Sequence, residues 1–305
     1  MPETKILSSP VINLLDESFD LKKSSAYHLS FLVSDTGFFF SVLDTTTNKY
    51  LALQSFSPVL RGEYPFSAPL QELGAFQFKS VTCAIAHPKF TLVPSALFDE
   101  EKKESFLSFN HPLDSKETIL SDTLKNLDAK NIFTISGSIE SLIRKQFINV
   151  HFMHNSTSFI EGLLIKNKNN TVKKVFANFT SPLNPLSAER GEKASGVKRS
   201  EPGYFELVIL EGRTLLFNNA FSYKTPEDIA YYILFVYEQL HLNPEEVELV
   251  LSGEIEKTAR EHSLLYNYIR HVKFAVLPDE FKYSYKFDEV QPHRFWNLFM
   301  QYLLI

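Results

Sequence analysis

A chain of 305 residues is longer than one hydrophobic core usually supports, so two domains or two lobes are expected. With 44% hydrophobic and 14% aromatic residues, 28 of them phenylalanine, it can bury a large core, which excludes a disordered or fibrous chain. A net charge of -5 without long single-sign blocks argues against a nucleic-acid partner, because phosphate contacts need a clustered basic face. The basic stretch Arg190 to Arg199 also carries Glu among Ser and Gly, as a solvated loop does. Residues 1–23 lack the basic start and apolar middle of a signal peptide. The longest apolar run, Ile229 to Tyr237, is about half of the roughly 20 residues a membrane span needs. A cytoplasmic protein with no membrane span is expected.

In chain order, Tyr27–Val33, Phe38–Asp44 and Tyr50–Phe56 are β-rich and separated by turns, which predicts three meandering antiparallel strands. A short helix over Pro65–Gly74, a buried strand over Val81–Ala86 holding the lone Cys83, and a helix within Pro94–Leu107 follow. Ile132–Ile135 and Asn149–Met153 read as strands around a helix at Ser138–Phe147, then a helical segment at Thr157–Asn167 and a strand at Val172–Phe179. The Pro-, Ser- and Gly-rich stretch at about 180–202 is expected to be a mobile loop.

The second half repeats the opening. Gly203–Glu211 can be laid on Gly37–Asp44, with Gly203 on Gly37 and Val208 on Val42, and the following strands end in Asn-Ala-Phe-Ser and Gln-Ser-Phe-Ser. Thr225-Pro226-Glu227-Asp228 then supplies an N-cap, a first-turn proline and two acids on the helix dipole. The helix it opens, to Leu240, is apolar around nearly its whole circumference and is expected to lie buried between layers. Val247–Leu251, a turn at Ser252-Gly253-Glu254, an amphipathic helix over Ile255–Arg270 and Val272–Val276 complete a strand–helix–strand series that predicts parallel pairing. A strand-like Phe281–Phe287 and a short helix carrying Trp296 end the chain.

Three strands, a helix, a strand, a helix and a strand, given twice, resemble the duplicated ribonuclease-H-like architecture of the actin, sugar-kinase and heat-shock superfamily. The strings Asn218–Tyr223, Glu227–Leu234 and Leu249–Gly253 are similar to a bacterial family of unknown function with an actin-like ATPase fold. The resemblance implies an α/β fold of two lobes, residues 1–130 and 131–305, each with a mixed five-stranded sheet and flanking helices. It also implies nucleotide turns. Asp35-Thr36-Gly37 stands at the first phosphate turn, with Asp35 as the magnesium-positioning and only candidate catalytic residue; Gly203 stands at the second, and Ser252-Gly253 at the adenosine turn. Asp-Thr-Gly is equally an ordinary hairpin turn, and Pro202 before Gly203 has no N–H to offer a phosphate.

Other chemistry is not signalled. His151 and His154 lack an acid or Cys cluster, and no Walker A loop, dinucleotide fingerprint, nucleophile elbow or His-Glu-x-x-His motif is present. The expected function is a non-catalytic interaction or scaffold domain with degenerate nucleotide turns and a protein partner. The alternative is an active ATPase or small-molecule kinase using ATP and magnesium. A metal site of the protein's own is not expected, and the apolar C-terminal segment with Trp296 is a candidate docking element.

Overall fold

Near-continuous runs of aromatic and aliphatic residues, buried on both faces, build the central strands of the first sheet of the computed structural model, which describes residues 10–34, 37–56, 66–180 and 203–305. Its strands are β1 Ile12–Leu15, β2 Tyr27–Ser34, β3 Gly37–Asp44, β4 Lys49–Phe56, β5 Ser80–Ile85, β9 Val150–His154 and β15 Lys282–Tyr283. The order is β1-β4-β3-β2-β5-β9, with β15 also on β4, so this sheet has seven strands where five were expected. β2, β3 and β4 are antiparallel, while β5 and β9 join in parallel after α1 Ser67–Gly74 and α3 Gly137–Gln146. A three-stranded sheet, β6 Phe90–Pro94, β7 Glu117–Leu124 and β8 Ala129–Ser136 in the order β6-β8-β7, lies in the chain between β5 and α3. The expected helix within Pro94–Leu107 is reduced to α2 Lys103–Ser108.

The second sheet has the order β12-β11-β10-β13-β14, from β10 Lys173–Phe179, β11 Gly203–Glu211, β12 Thr214–Tyr223, β13 Glu248–Gly253 and β14 Val272–Phe274. It repeats β4-β3-β2-β5-β9 strand for strand and sense for sense. The repeat extends to an irregularity: the β3–β4 register shifts between Val42 and Leu43, and the β11–β12 register between Ile209 and Leu210. Phe38 pairs with Phe56 before the first bulge and Phe205 with Phe221 before the second. Gly37 is therefore equivalent to Tyr204, one residue beyond the Gly203 of the sequence alignment, because β11 is one residue longer than β3.

Contacts divide the chain into two compact units. One comprises Met1–Leu163, Pro278–Gln291 and Asn297–Ile305, the other Leu164–Leu277 and Pro292–Trp296. The division expected at 130/131 falls inside β8. In the second unit the core gathers Phe179, Phe205, Ile209, Tyr223, Ile233 and Leu251 on one face of the sheet beneath α5 Pro226–Gln239.

α5 begins with a complete capping box: the Thr225 side chain accepts the Asp228 N–H at 3.2 Å, and Asp228 Oδ2 accepts the Thr225 N–H at 2.9 Å. Thr225→Ala is expected to lower stability by about 1 kcal/mol in urea denaturation. α5 is not enclosed on all sides as expected, because Tyr231 and Phe235 face solvent. The predicted helix at Ile255–Arg270 shortens to α6 Arg260–Tyr266. Ile255 instead turns back, its N–H donating to the Gly253 carbonyl while its own carbonyl accepts from His293 Nε2 at 2.6 Å.

The C-terminal segment is buried from Phe295 to Gln301, while Ile305 is exposed. Helix α7 Trp296–Met300 places Leu298, Phe299 and Met300 in the core, and the Phe299 carbonyl accepts the Tyr50 hydroxyl at 2.6 Å. Gln301 Nε2 donates to the Phe31 carbonyl at 2.8 Å and its Oε1 accepts the Thr82 hydroxyl at 2.7 Å. Trp296 is buried as well, so Trp296 to Gln301 pack on their own fold and do not form an exposed docking element.

Candidate functional site

Because β11 runs antiparallel and β13 parallel to β10, one end of the second sheet brings together Phe179 and Thr180 at the exit of β10, Gly203 at the start of β11, and Ser252-Gly253 at the end of β13. Ser252 and Gly253 are the last residues of this strand and not the turn expected of them. Gly253 adopts φ +79°, and a Cβ there would collide with the Phe179 carbonyl oxygen. That carbonyl accepts the Glu254 N–H at 2.8 Å, and the Tyr204 carbonyl accepts the Thr180 hydroxyl at 2.9 Å. Gly203 leaves room for the Tyr223 ring, which would touch a Cβ. The peptide groups at this end are thus largely engaged with one another.

Inboard of it runs a buried polar row that the sequence did not suggest. Ser252, Asn178 and Glu206 are side-by-side partners on β13, β10 and β11. The Ser252 hydroxyl donates to Asn178 Oδ1 at 3.2 Å, and Asn218 Nδ2 to Glu206 Oε1 at 2.6 Å. A single polar residue within an apolar run, Asn178 among Val175, Phe176, Ala177 and Phe179, is the sequence signal, and it reads equally as a half-exposed strand.

In the first unit Asp35 and Thr36 lie outside the described residues, as do residues 181–202 of the predicted loop. Gly37 opens β3, and its lack of a Cβ admits the Phe56 carbonyl of β4. The close approach of β4 therefore accounts for this glycine. His151 and His154 alternate along β9, His151 exposed and His154 buried, so they cannot share a ligand. Among the described residues no group of three His, Cys, Asp or Glu is placed to hold a metal ion. Cys83 is buried, and desolvation pushes its thiol far above the ordinary range.

A strongly perturbed carboxyl outside these turns is Asp122 of β7. It sits at the buried N-terminus of α4 Asn155–Lys166, accepting the His154 N–H at 2.7 Å and the Thr157 hydroxyl at 2.8 Å. Burial pushes its pKa up to about 7, against the hydrogen bonds that favour the carboxylate. His154 is held neutral, pushed down to about 3 by burial, with Nε2 toward the His87 carbonyl and Nδ1 accepting the Ser156 N–H. The cluster binds β7, β9 and α4 together. Its ring and carboxyl atoms are committed to structural partners.

Two sheets of the same strand order, each three antiparallel strands extended by two parallel ones, define a duplicated actin-like ATPase fold. A solved structure from Bacteroides thetaiotaomicron VPI-5482, a protein with actin-like ATPase fold and unknown function, is similar at 27% identity with a TM-score of 0.67, over 84% of this chain and 93% of that one. The PilM-PilN type IV pilus biogenesis complex is similar in fold at 11% identity and a TM-score of 0.52, over 90% and 96% of the two chains. No curated protein matches. The chain belongs to the family "Protein of unknown function (DUF3822)", which matches residues 16–182 and 187–272. Among the described residues no helix is long and apolar enough to cross a membrane.

Proposed function

We propose that this protein is a cytoplasmic interaction domain that keeps the actin-like fold without its phosphoryl-transfer chemistry, its two compact units representing the two halves of the duplication. The observation that carries this reading is the end of the second sheet. Gripping a nucleotide phosphate takes backbone N–H groups aimed at the ligand, and a magnesium ion takes a carboxylate beside it. Here the Glu254 N–H donates to the Phe179 carbonyl and the Thr180 N–H to the Tyr204 carbonyl; in the buried polar row Asn178 and Ser252 carry no charge, and the Glu206 carboxylate beside them accepts the Asn218 amide. These engagements support a reading in which the end of the second sheet serves the fold and not a nucleotide. One similar fold belongs to a two-protein pilus biogenesis complex, which is consistent with a role in protein contacts.

The test is thermal unfolding with and without millimolar ATP and magnesium, in wild type and in Asp35→Ala. A ligand that binds only the native state at about 100 times its Kd adds about 2.7 kcal/mol, which is readily seen as a rise in Tm. The expected result is no change of Tm on adding ATP and magnesium to either protein. A rise that vanishes in Asp35→Ala would replace this reading with an active ATPase or kinase in which Asp35, Thr36, Gly37 and Gly203 hold the phosphates and Ser252-Gly253 the adenosine.

A further inference from the structure

β12 forms the outer edge of the second sheet and pairs only with β11 among the described residues. It spans ten residues, Thr214-Leu-Leu-Phe-Asn-Asn-Ala-Phe-Ser-Tyr223, with no charge and no proline. Sheet edges are ordinarily blunted by charge, proline or short length, because their unpaired N–H and C=O groups template a further strand. The opposite edge obeys this rule: β14 is three residues long and carries Lys273, which is paired with Glu248.

The duplication supplies an internal comparison. β4, the counterpart of β12, is covered within its own unit by β1, which runs antiparallel to it from Ile12 opposite Ser55 to Leu15 opposite Ala52. With Phe56 equivalent to Phe221, the covered stretch Ala52–Ser55 corresponds to Phe217–Ala220. No described strand covers Phe217–Ala220. Instead, Asn219 Oδ1 accepts the adjacent Ala220 N–H at 3.0 Å, so that edge N–H is held by its own neighbour.

Beside the edge runs an aromatic ribbon. Phe217 stacks on Phe221 at 6.3 Å, Phe221 on Tyr232 at 4.8 Å, Tyr232 meets Tyr231 edge-on, and Tyr231 stacks on Phe235 at 6.1 Å. Its outer members are 63% and 44% exposed at Tyr231 and Phe235, and Leu216 on the strand is 38% exposed.

We propose that the occupant of this edge is a second copy of the chain, pairing β12 with β12 antiparallel about a two-fold axis at Asn219. Side-chain alternation requires residues of like parity to face each other, and this register alone places Phe217 of each copy opposite Phe221 of the other, with Leu215 opposite Tyr223. It also brings Arg213 opposite Thr225 of the other copy, at the start of α5, whose first turn carries Glu227 and Asp228. Arg213 thus meets, twice by symmetry, the helix end where the Asp228 carboxylate caps the Lys224 and Thr225 N–H groups and Glu227 pairs with Arg260, and the uncharged strands set no like charges against each other. The two five-stranded sheets become one of ten strands.

Light scattering during size exclusion tests this. Wild type is expected to approach twice 35.1 kDa as concentration rises, and Asn219→Lys, which sets two ammonium groups together on the axis, to stay at 35.1 kDa with an unchanged circular dichroism spectrum. Asn219→Cys is expected to oxidise to a covalent dimer, since facing residues of a non-hydrogen-bonded pair lie about 4.5–5.5 Å apart and the native Cys83 is buried. Ser222→Cys, facing Leu216, is expected not to. A wild-type mass of 35.1 kDa throughout overturns the proposal and leaves the edge to a strand from another protein. A dimer that survives Asn219→Lys and resists trapping through Asn219→Cys overturns it as well.

Discussion

Gly253→Val is expected to lose more than about 3 kcal/mol of stability, the largest effect of any single substitution at the sheet ends. Two costs combine. At φ +79° an L side chain sits in the left-handed region at about 1–2 kcal/mol, more when the residue is β-branched. Its Cβ would also drive into the Phe179 carbonyl, a backbone group fixed by the ladder with Phe205 and by the Glu254 N–H, which a rotamer change cannot relieve. Asn separates the two terms, because it tolerates left-handed φ but carries a Cβ. If the collision dominates, Gly253→Asn and Gly253→Ala fall by similar amounts in urea denaturation. Recovery of most of the loss by Asn would assign the glycine to backbone conformation alone, and loss of less than about 1 kcal/mol in the valine variant would refute the geometry. The outcome bears on function, because a glycine required by the Phe179 carbonyl needs no nucleotide to explain it.

Where local chemistry and tertiary structure agree, the sequence was readable. The capping signal at Thr225–Asp228 starts α5 where expected, since proline, cap and acids act within a single turn. The three-stranded meanders and their parallel extensions were legible for the same reason, as was the actin-like fold to which their repetition points. What escaped depends on partners distant in sequence. β7 mixes Asp122 and Ser121 with apolar residues and becomes a strand by pairing with β8. β6 ends in Pro94, which only an edge position accommodates. Ile255–Ala259 has helical periodicity, yet the His293 ring takes the Ile255 carbonyl and holds the chain off a helical path. The one-residue error between Gly37 and Gly203 arose because strand length and bulge position are set by pairing, which an alignment of hydrophobic residues cannot see. Among the candidate site residues, glycine was legible as glycine but not its cause: a phosphate nest and a crowding carbonyl select the same residue.

Asp122→Asn is expected to remove a pH dependence of stability that wild type carries between about pH 4 and 7. In the native state the Asp122 carboxyl is enclosed at the start of α4 and its pKa is pushed from 3.8 up to about 7, chiefly by burial, with Glu161 adding to the rise and Lys130 and the two hydrogen bonds opposing it. Below about pH 4 the group is protonated in both native and unfolded chains and contributes no slope. As pH rises from there, the unfolded chain releases its proton while the native state holds it, so the unfolded state binds fewer protons and stability falls, until the native carboxyl also ionises near pH 7. At about 1.4 kcal/mol per unit the loss reaches up to about 4 kcal/mol. Asn carries no titrating proton and keeps one acceptor for the His154 N–H or the Thr157 hydroxyl, so its own cost, about 1–3 kcal/mol, is independent of pH. The difference between the two proteins in guanidinium denaturation should therefore move in favour of the variant from pH 4 to 7 and then level off. Parallel curves across that range would mean that Asp122 is ionised in the native state, with the α4 dipole outweighing burial. Either way the carboxyl works as a cap supplied to α4 by β7, so the shift of this acid has its cause at the seam between two structural elements.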